Sequence, residues 1–584
     1  MAVSIRRDGD LALVTIDNPP VNAVSHAVRQ GLFAAVAALD ADDAVRGVIL
    51  ICAGRTFIAG ADVTEFGKPP MEPHLRDVVA KIETAQKPWF AAIHGTALGG
   101  GFEIAMGCRC RVAVKDAKIG LPEVTLGIIP GAGGTVRTPR LAGVENAVDL
   151  ITSGKPVSAA KALAMGLIDA VVEGDLLPAA MNYARDALAT TLPQPARARA
   201  IASPGADYWD ARARSVAHSA RGEEAPLRAL AVIRKACETD FETAMAYERE
   251  TFLALRNAPQ AAALRAVFFA ERAALRPPEM VGIEPRRVTR VGVTGTTPMA
   301  DALANALHGA GVPVIRGEPD DAALGDSDLV IEAASDDHAM KQVILAALGQ
   351  TCRPDTMLAT TVSGADPHGA VKGALHPERF VGLHMPHSSQ AMKLLEILPM
   401  AETAGDVIAA MFALARRLNK IPVCVGMGHG SIRQRLMEKL RAQVERMQMV
   451  GIDPSEISDA LHQFGFMSMP WAGLEHAKAA HAHDSKKGAL TAADLVDGLL
   501  LPVINDAAHM LGEGMALRPV DIDLVAIHGF GFPRHRGGPM HWAAARGLKE
   551  SVDRLDALAA QGLADAPDIW MRRAAEAGSW SMAG

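Results

Sequence analysis

HGTALGGGFEIAMGCRC, residues 94–110, joins three adjacent glycines (99–101) to an apolar, amphipathic run. Three glycines in a row are poor inside a helix and useful just before one, because they let the backbone approach a ligand closely. The run after them predicts a helix whose N-terminus directs free N–H groups outward and favours negative charge. Such a start suits an oxyanion, for example a thioester enolate. Glu103 falls in the first turn. A carboxylate there either complements the helix dipole or takes part in chemistry, and the local sequence leaves both open.

Two neighbouring stretches extend this reading. In IGLPEVTLGIIPGAGGT (119–135), Glu123 follows Pro122 and precedes an apolar, strand-like run and a Gly-rich loop. A carboxylate in such surroundings has a raised pKa, more so if it faces another carboxylate, unless it lies on the surface. In TFIAGADVTEF (56–66), Gly60 among small residues again allows close backbone approach. Ala59 and Asp62 beside it are candidate substrate contacts. GVILICAG (47–54) and PWFAAIHG (88–95) read as strands that run into Gly-rich turns. Residues 1–190 thus read as repeated β-β-α units. The N-terminal MAVSIRRDGDLALVTIDNPP reads as strand, turn, strand rather than as a signal peptide.

The chain has 584 residues, long enough for roughly three to five domains. Hydrophobic residues make up 49% and charged residues 21%, a balance that supports large cores. A net charge of -7 argues against a general nucleic-acid or membrane-surface role. Cysteines 52, 108, 110, 237, 352 and 424 form no C-x-x-C pair, which fits a reducing compartment and no structural metal site. No apolar run reaches 18 residues, and the terminal WSMAG is not a peroxisomal S-K-L, so the expectation is a cytoplasmic protein.

Further along, residues 192–222 are rich in Ala, Pro and Arg with weak periodicity and suit a connector, while 224–275 read as helical with Pro226 and Pro259 as the few breakers. RVTRVGVTG (287–295) opens a strand–turn–helix–strand order, and DLVIEA (328–333) and RFVGLHM (379–385) read as further buried strands, so a Rossmann-like sheet is expected. The last 160 or so residues are mainly helical. They carry a weak repeat: Pro454 and Ile457 precede His462-Gln-Phe464-Gly-Phe466, as Pro519 and Ile522 precede His528-Gly-Phe530-Gly-Phe532. The resulting division is 1–190, 191–285, 286–425, 426–484 and 485–584.

The IAGAD loop, ALGGGFEIA, LPEVTLGIIPGAGGT and SGKPVSAAKALAMGLIDAVV (153–172) together resemble the crotonase, or enoyl-CoA hydratase/isomerase, superfamily over about residues 10–190. The resemblance implies a ββα-spiral domain. It further implies that the backbone N–H groups of Ala61 and Gly100 hold a thioester oxygen and that Glu103 and Glu123 are paired catalytic carboxylates. Relatives that isomerise, hydrolyse or decarboxylate often lack one of the two, so both together favour hydration. Adding water across a conjugated double bond needs one carboxylate to deprotonate the water and another, protonated, to supply the α-proton. The same pair could move a proton between C2 and C4 of a 3-enoyl-CoA.

From about residue 286 the chain resembles the L-3-hydroxyacyl-CoA dehydrogenase family, most strongly in DLVIEA, GLHMPHSSQAMKLLEI (382–397) and DIDLVAIHGFGFPRHRGGPM (521–540). The whole order resembles multifunctional β-oxidation enzymes: an α/β chain of crotonase domain, linker helix, Rossmann-like domain and two helical C-terminal domains. The resemblance implies His384 and Glu396 as a catalytic dyad, Ser363 as a substrate contact, and NAD as cofactor. Gly295, Thr297 and Glu318 occupy the matching cofactor-binding positions.

Several departures count against NAD. The family's G-x-G-x-x-G reads Gly295-Thr-Thr297-Pro-Met-Ala300, so a side chain stands where pyrophosphate approaches the backbone. Pro298 removes an N–H near the helix start. Only nine residues separate Glu318 from Asp328, where the family carries a helical insertion. Gln434 replaces a catalytic-site Asn, and Met385-Pro386-His387-Ser388 replaces F-F-x-P.

Hydration needs no cofactor, and CoA is part of the substrate. An acyl-CoA is the expected ligand, and the resemblance is compatible with a monomer and with a thiolase partner. Four readings follow: a hydratase (with or without isomerase activity) carrying an impaired dehydrogenase half, a true bifunctional enzyme, an acyl-CoA-binding module with no activity, and a crotonase that hydrolyses thioesters.

Overall fold

The computed structural model describes residues 2–62, 65, 68–362, 369, 371, 374–386, 392–467 and 490–581. It divides into two compact units, Met1–Ala262 and Ala263–Gly584, with the boundary inside the helix Pro259–Ala274. Among the described residues no helix is long and apolar enough to cross a membrane.

The first unit is built on a six-stranded sheet. β1 (Val3–Asp8) and β2 (Leu11–Ile16) form an antiparallel hairpin, and β3 (Gly47–Cys52), β4 (Trp89–Ile93), β6 (Cys110–Val114) and β9 (Ala170–Val172) add in parallel, in the order β1-β2-β3-β4-β6-β9. β3 and β4 are covered on both faces, which is why they read as unbroken apolar runs rather than alternations. A small second sheet holds β5 (Thr96–Leu98), β7 (Lys118–Gly120) and β8 (Val157–Ser158). Two successive ββα units result. β4 and β5 lead into the helix Gly100–Gly107, while β6 and β7 lead into a turn at Glu123. β5 and β7 run side by side in parallel register, so each unit delivers one glutamate at the same sheet end.

The stretch read as a connector contains a helix, Ala206–Ala220, which buries Trp209, Val216 and Ala220. Its buried positions are too widely spaced to register as a strong period. The segment read as one helical run is three helices, Ala225–Glu238, Phe241–Arg256 and Pro259–Ala274. The two prolines taken as breakers begin helices instead, where a missing N–H costs nothing. Between them, Asp240 caps the second helix through the Thr243 N–H at 2.9 Å.

Under the Gly-rich loop lies a buried ion pair. Arg137 donates to Glu83 at 2.7 Å, and both side chains are 1% exposed. Removing one partner strands the other charge in the core. Glu83→Gln should therefore cost the first unit about 3–5 kcal/mol. Denaturant unfolding of the full chain reads this as an earlier first transition, and an unmoved transition would contradict it.

The second unit carries a seven-stranded sheet: β10 (Val291–Thr294), β11 (Val314–Arg316), β12 (Leu329–Glu332), β13 (Met357–Thr361), β14 (Phe380–His384), β15 (Leu394–Pro399) and β16 (Ile421–Cys424). Their order is β11-β10-β12-β13-β14-β15-β16, parallel except for the β14–β15 pair. The connections of β10 leave in opposite directions, which sets a topological switch point between β10 and β12. A single 3-10 turn, Ala322–Asp326, joins β11 to β12.

The helical remainder repeats one device. The helices Ile432–Met449 and Ala492–Gly512 are each followed by a shorter helix that opens on proline, Pro454–Phe464 and Pro519–Phe530. Each shorter helix stops at a glycine with positive φ, Gly465 or Gly531. The two copies meet through their aromatic turns, Phe532 lying 5.7 Å from Phe464 and 5.5 Å from Phe466.

Candidate active site

Glu103 lies in the first turn of the helix Gly100–Gly107, every residue of which is buried. Its Oε1 accepts the N–H of Ala132 at 2.7 Å and of Gly134 at 2.9 Å. Burial pushes this carboxyl above the usual range, while those two amides and the nearby Arg137 pull it back.

Glu123 opens a 3-10 turn, Glu123–Leu126, instead of the expected strand. Pro122 and a left-handed Gly127 bound it, leaving room for one turn only. Burial, and next the charge of Glu103, push Glu123 well above the usual range. Its Oε2 is buried with no hydrogen-bond partner. Gly99, at φ 53°, explains why the first glycine of the triplet is needed: a Cβ there would stand 2.9 Å from Glu123 Oε1.

Ala61, Gly100, Glu103 and Glu123 line one cavity of about 180 Å³. A Cβ on Gly100 would lie 3.7 Å from the Ala61 amide nitrogen and 4.0 Å from Glu103 Oε2, so Gly100 sits close to both. Asp62 also lines this cavity, whereas the Ala59 N–H donates to the Val21 carbonyl at 3.2 Å. The helix Phe241–Arg256 supplies the far wall through Arg249, Phe252 and Arg256. Behind the wall stand Glu248, Thr135 and Arg137, which sequence reading missed. The one available signal was a glutamate inside the stripe Ala244, Glu248, Thr251, Leu255 that the helix buries.

In the second unit, His384 and Glu396 are cross-strand neighbours on β14 and β15. The His384 Nδ1–H meets the Val362 carbonyl at 2.5 Å, while Nε2 faces Glu396 Oε2 at 3.8 Å, beyond hydrogen-bond reach. Glu396 is occupied elsewhere. Its Oε2 accepts from the Ser431 hydroxyl at 2.6 Å and its Oε1 from the Arg433 N–H at 3.2 Å, at the start of the helix Ile432–Met449. Gln434 turns away to Glu438 at 2.8 Å. Ser363 lies outside the described residues.

At the switch point, side chains from the turn after β10 and from the end of β11 bond to the loop backbone. The Thr297 hydroxyl caps the helix Pro298–Gly309 through the Ala300 N–H and donates to the Ala333 carbonyl at 2.6 Å, bridging the turns that follow β10 and β12. Gly295, at φ 110°, is needed because a Cβ there would stand 2.5 Å from the Ala334 Cα. Arg316 reaches back to the Gly295 carbonyl at 2.5 Å and to Asp301 at 3.0 Å. Glu318 is exposed beyond the end of β11.

Two family descriptions match the chain: Enoyl-CoA hydratase/isomerase over residues 6–202, and 3-hydroxyacyl-CoA dehydrogenase, NAD binding domain, over residues 291–428. Among curated proteins, the peroxisomal bifunctional enzyme of Danio rerio is 30% identical, the match covering 94% of this chain and 93% of that protein. That of Cavia porcellus is 29% identical over 95% and 94%. The glyoxysomal fatty acid beta-oxidation multifunctional protein MFP-a of Cucumis sativus is 27% identical over 95% and 94%.

Proposed function

The chain belongs to the family of bifunctional enoyl-CoA hydratase and 3-hydroxyacyl-CoA dehydrogenase enzymes of β-oxidation, and from that premise we propose that its working centre is the hydratase site, with Glu103 as base and Glu123 as acid. One observation carries this: Glu103 and Glu123 line the same small cavity as Ala61 and Gly100, the residues whose backbone amides the reading assigns to the oxyanion.

The roles follow from the environments. Glu103, held by two amide donors beside Arg137, keeps its negative charge more easily and takes a proton from water. Glu123, driven up by burial and by Glu103, holds the shared proton with Oε2 free toward a ligand. The water oxygen bonds to C3 of the 2-enoyl thioester, and the electron pair of the double bond moves toward the carbonyl oxygen. The amides of Ala61 and Gly100 receive that oxyanion. Glu123 then delivers its proton to C2, and the proton on Glu103 returns to Glu123 before the next turnover. The same pair serves a shift of the double bond between C3 and C2, so isomerase activity accompanies the reading.

In the other half, the residues present do not fit a dinucleotide pyrophosphate. Pro298 offers no N–H, and the Thr297 hydroxyl is engaged on both sides. We assign no oxidation step to this half. A second reading, hydration followed by NAD-dependent oxidation, has in its favour that His384 and Glu396 remain paired across β14 and β15. The cysteine pattern favours the cytoplasm as the compartment, although the relatives cited are named for peroxisomes and glyoxysomes; cell fractionation decides this.

The test is a hydration assay over a series of 2-enoyl-CoA chain lengths, read as loss of the conjugated thioester absorbance, with and without NAD. Loss of absorbance without release of free thiol is expected. Free CoA as the main product would replace hydration by thioester hydrolysis, and no turnover at any length would reduce the site to acyl-CoA binding.

A further inference from the structure

Hydration as proposed uses two carboxylates, yet a third is buried beside them. Glu248 lies on the helix Phe241–Arg256, past residue 202 where the hydratase-family match ends, and is 1% exposed. Its Oε1 accepts the Gly133 N–H at 2.6 Å, and its Oε2 accepts the Thr135 N–H at 3.0 Å together with the Thr135 hydroxyl. Glu103 takes the Ala132 and Gly134 amides of the same turn. Four consecutive N–H groups at the start of the helix Gly134–Ala142 are thus shared alternately between two carboxylates. Those groups would otherwise have no partner within the helix, and their combined dipole favours one negative charge more than two.

We infer that Glu248 is a positioning residue for hydration: it fixes the 132–135 turn that presents amides to Glu103, and its charge governs how the Glu103–Glu123 pair shares a proton. This rests on the hydratase reading of that pair. The charged groups around Glu248 are Glu103 and Glu123, Arg137 with its partner Glu83, and Arg249 next along its own helix. Burial first, and then Glu103, push Glu248 up to about 8, against the pull of the Thr135 and Gly133 donors and of Arg137. A group with that value carries partial charge at neutral pH, so its state matters to its neighbours. A helix cap alone would have no such effect.

The test uses the full chain and the pH dependence of kcat/KM for a 2-enoyl-CoA. Glu248→Gln keeps the size, removes the charge and directs an amide N–H2 at backbone donors. A fall of about 10–100-fold is expected, the range for losing an outer hydrogen-bonding partner. The alkaline limb of the profile should also move to lower pH by about one unit, because Glu248 is charged on that side and its negative charge no longer opposes ionisation. Glu248→Asp retains the charge and should return that limb toward its original position.

If Glu248→Gln does not fold, Thr135→Val removes only the hydroxyl donor. Glu248 then takes up its proton more readily, and the alkaline limb moves in the same direction. An unmoved alkaline limb, whatever the rate, would leave Glu248 a structural cap and overturn the inference. An unsubstituted protein that hydrates no enoyl-CoA overturns the site reading, and this inference with it. An active protein with an unmoved alkaline limb overturns only the role of Glu248.

Discussion

Glu123→Gln lowers the hydration rate of a 2-enoyl-CoA by about a thousandfold or more, with KM changed far less. The amide fills the same space but carries no proton to deliver to C2. Glu103→Gln gives a loss of similar size for a different reason. A carboxamide accepts poorly where the Ala132 and Gly134 amides converge on one oxygen, and it cannot take a proton from water.

The double variant falls little further than either single one, because the two groups act as a unit. The pH profile of the unsubstituted protein is bell-shaped. Activity requires Glu123 protonated, so it is lost as pH rises through that group's raised pKa, and it requires Glu103 ionised, so it is lost as pH falls. The limbs belong to the pair rather than to either residue. A steady-state assay of both variants checks this. Retention of more than about a tenth of the rate by either would remove it from the chemistry.

NAD supplied with a 3-hydroxyacyl-CoA yields NADH at least about a thousandfold more slowly than the same chain hydrates its enoyl substrate. Two independent obstructions underlie this. The Thr297 hydroxyl is bonded on both sides, to the Ala300 N–H and the Ala333 carbonyl, and Pro298 offers no N–H. The candidate dyad is also not hydrogen-bonded, since the His384 Nδ1–H donates to a main-chain carbonyl and Nε2 lies 3.8 Å from a glutamate that accepts from Ser431. Calorimetric titration with NAD provides a separate readout and should show no saturable binding. Tight binding with turnover would establish the bifunctional reading instead.

The sequence disclosed the elements that follow local rules. Three glycines before an apolar run marked the helix carrying Glu103, and apolar runs rich in Val and Ile marked central strands of both sheets. The paired Phe-Gly-Phe turns gave away the duplicated helices. What sequence reading missed depends on residues far apart in the chain. Glu248 and Gly133 are 115 positions apart, and nothing local to either announces the bond. The turn at Glu123 passed for a strand because Val124, Thr125 and Leu126 are apolar or β-branched, and three such residues look alike in both. Thr297 was legible as a departure from the dinucleotide loop, but its bond to Ala333, 36 positions along the chain, was not.

The wall formed by Phe241–Arg256 bears on anyone who would isolate the hydratase as a recombinant fragment. A boundary drawn at residue 202, where family similarity ends, would strip Phe252 from Gly131 and the Glu248 clamp from the Gly-rich turn. A portion that keeps the described lining of the pocket reaches through Arg256, so it is longer than the family match.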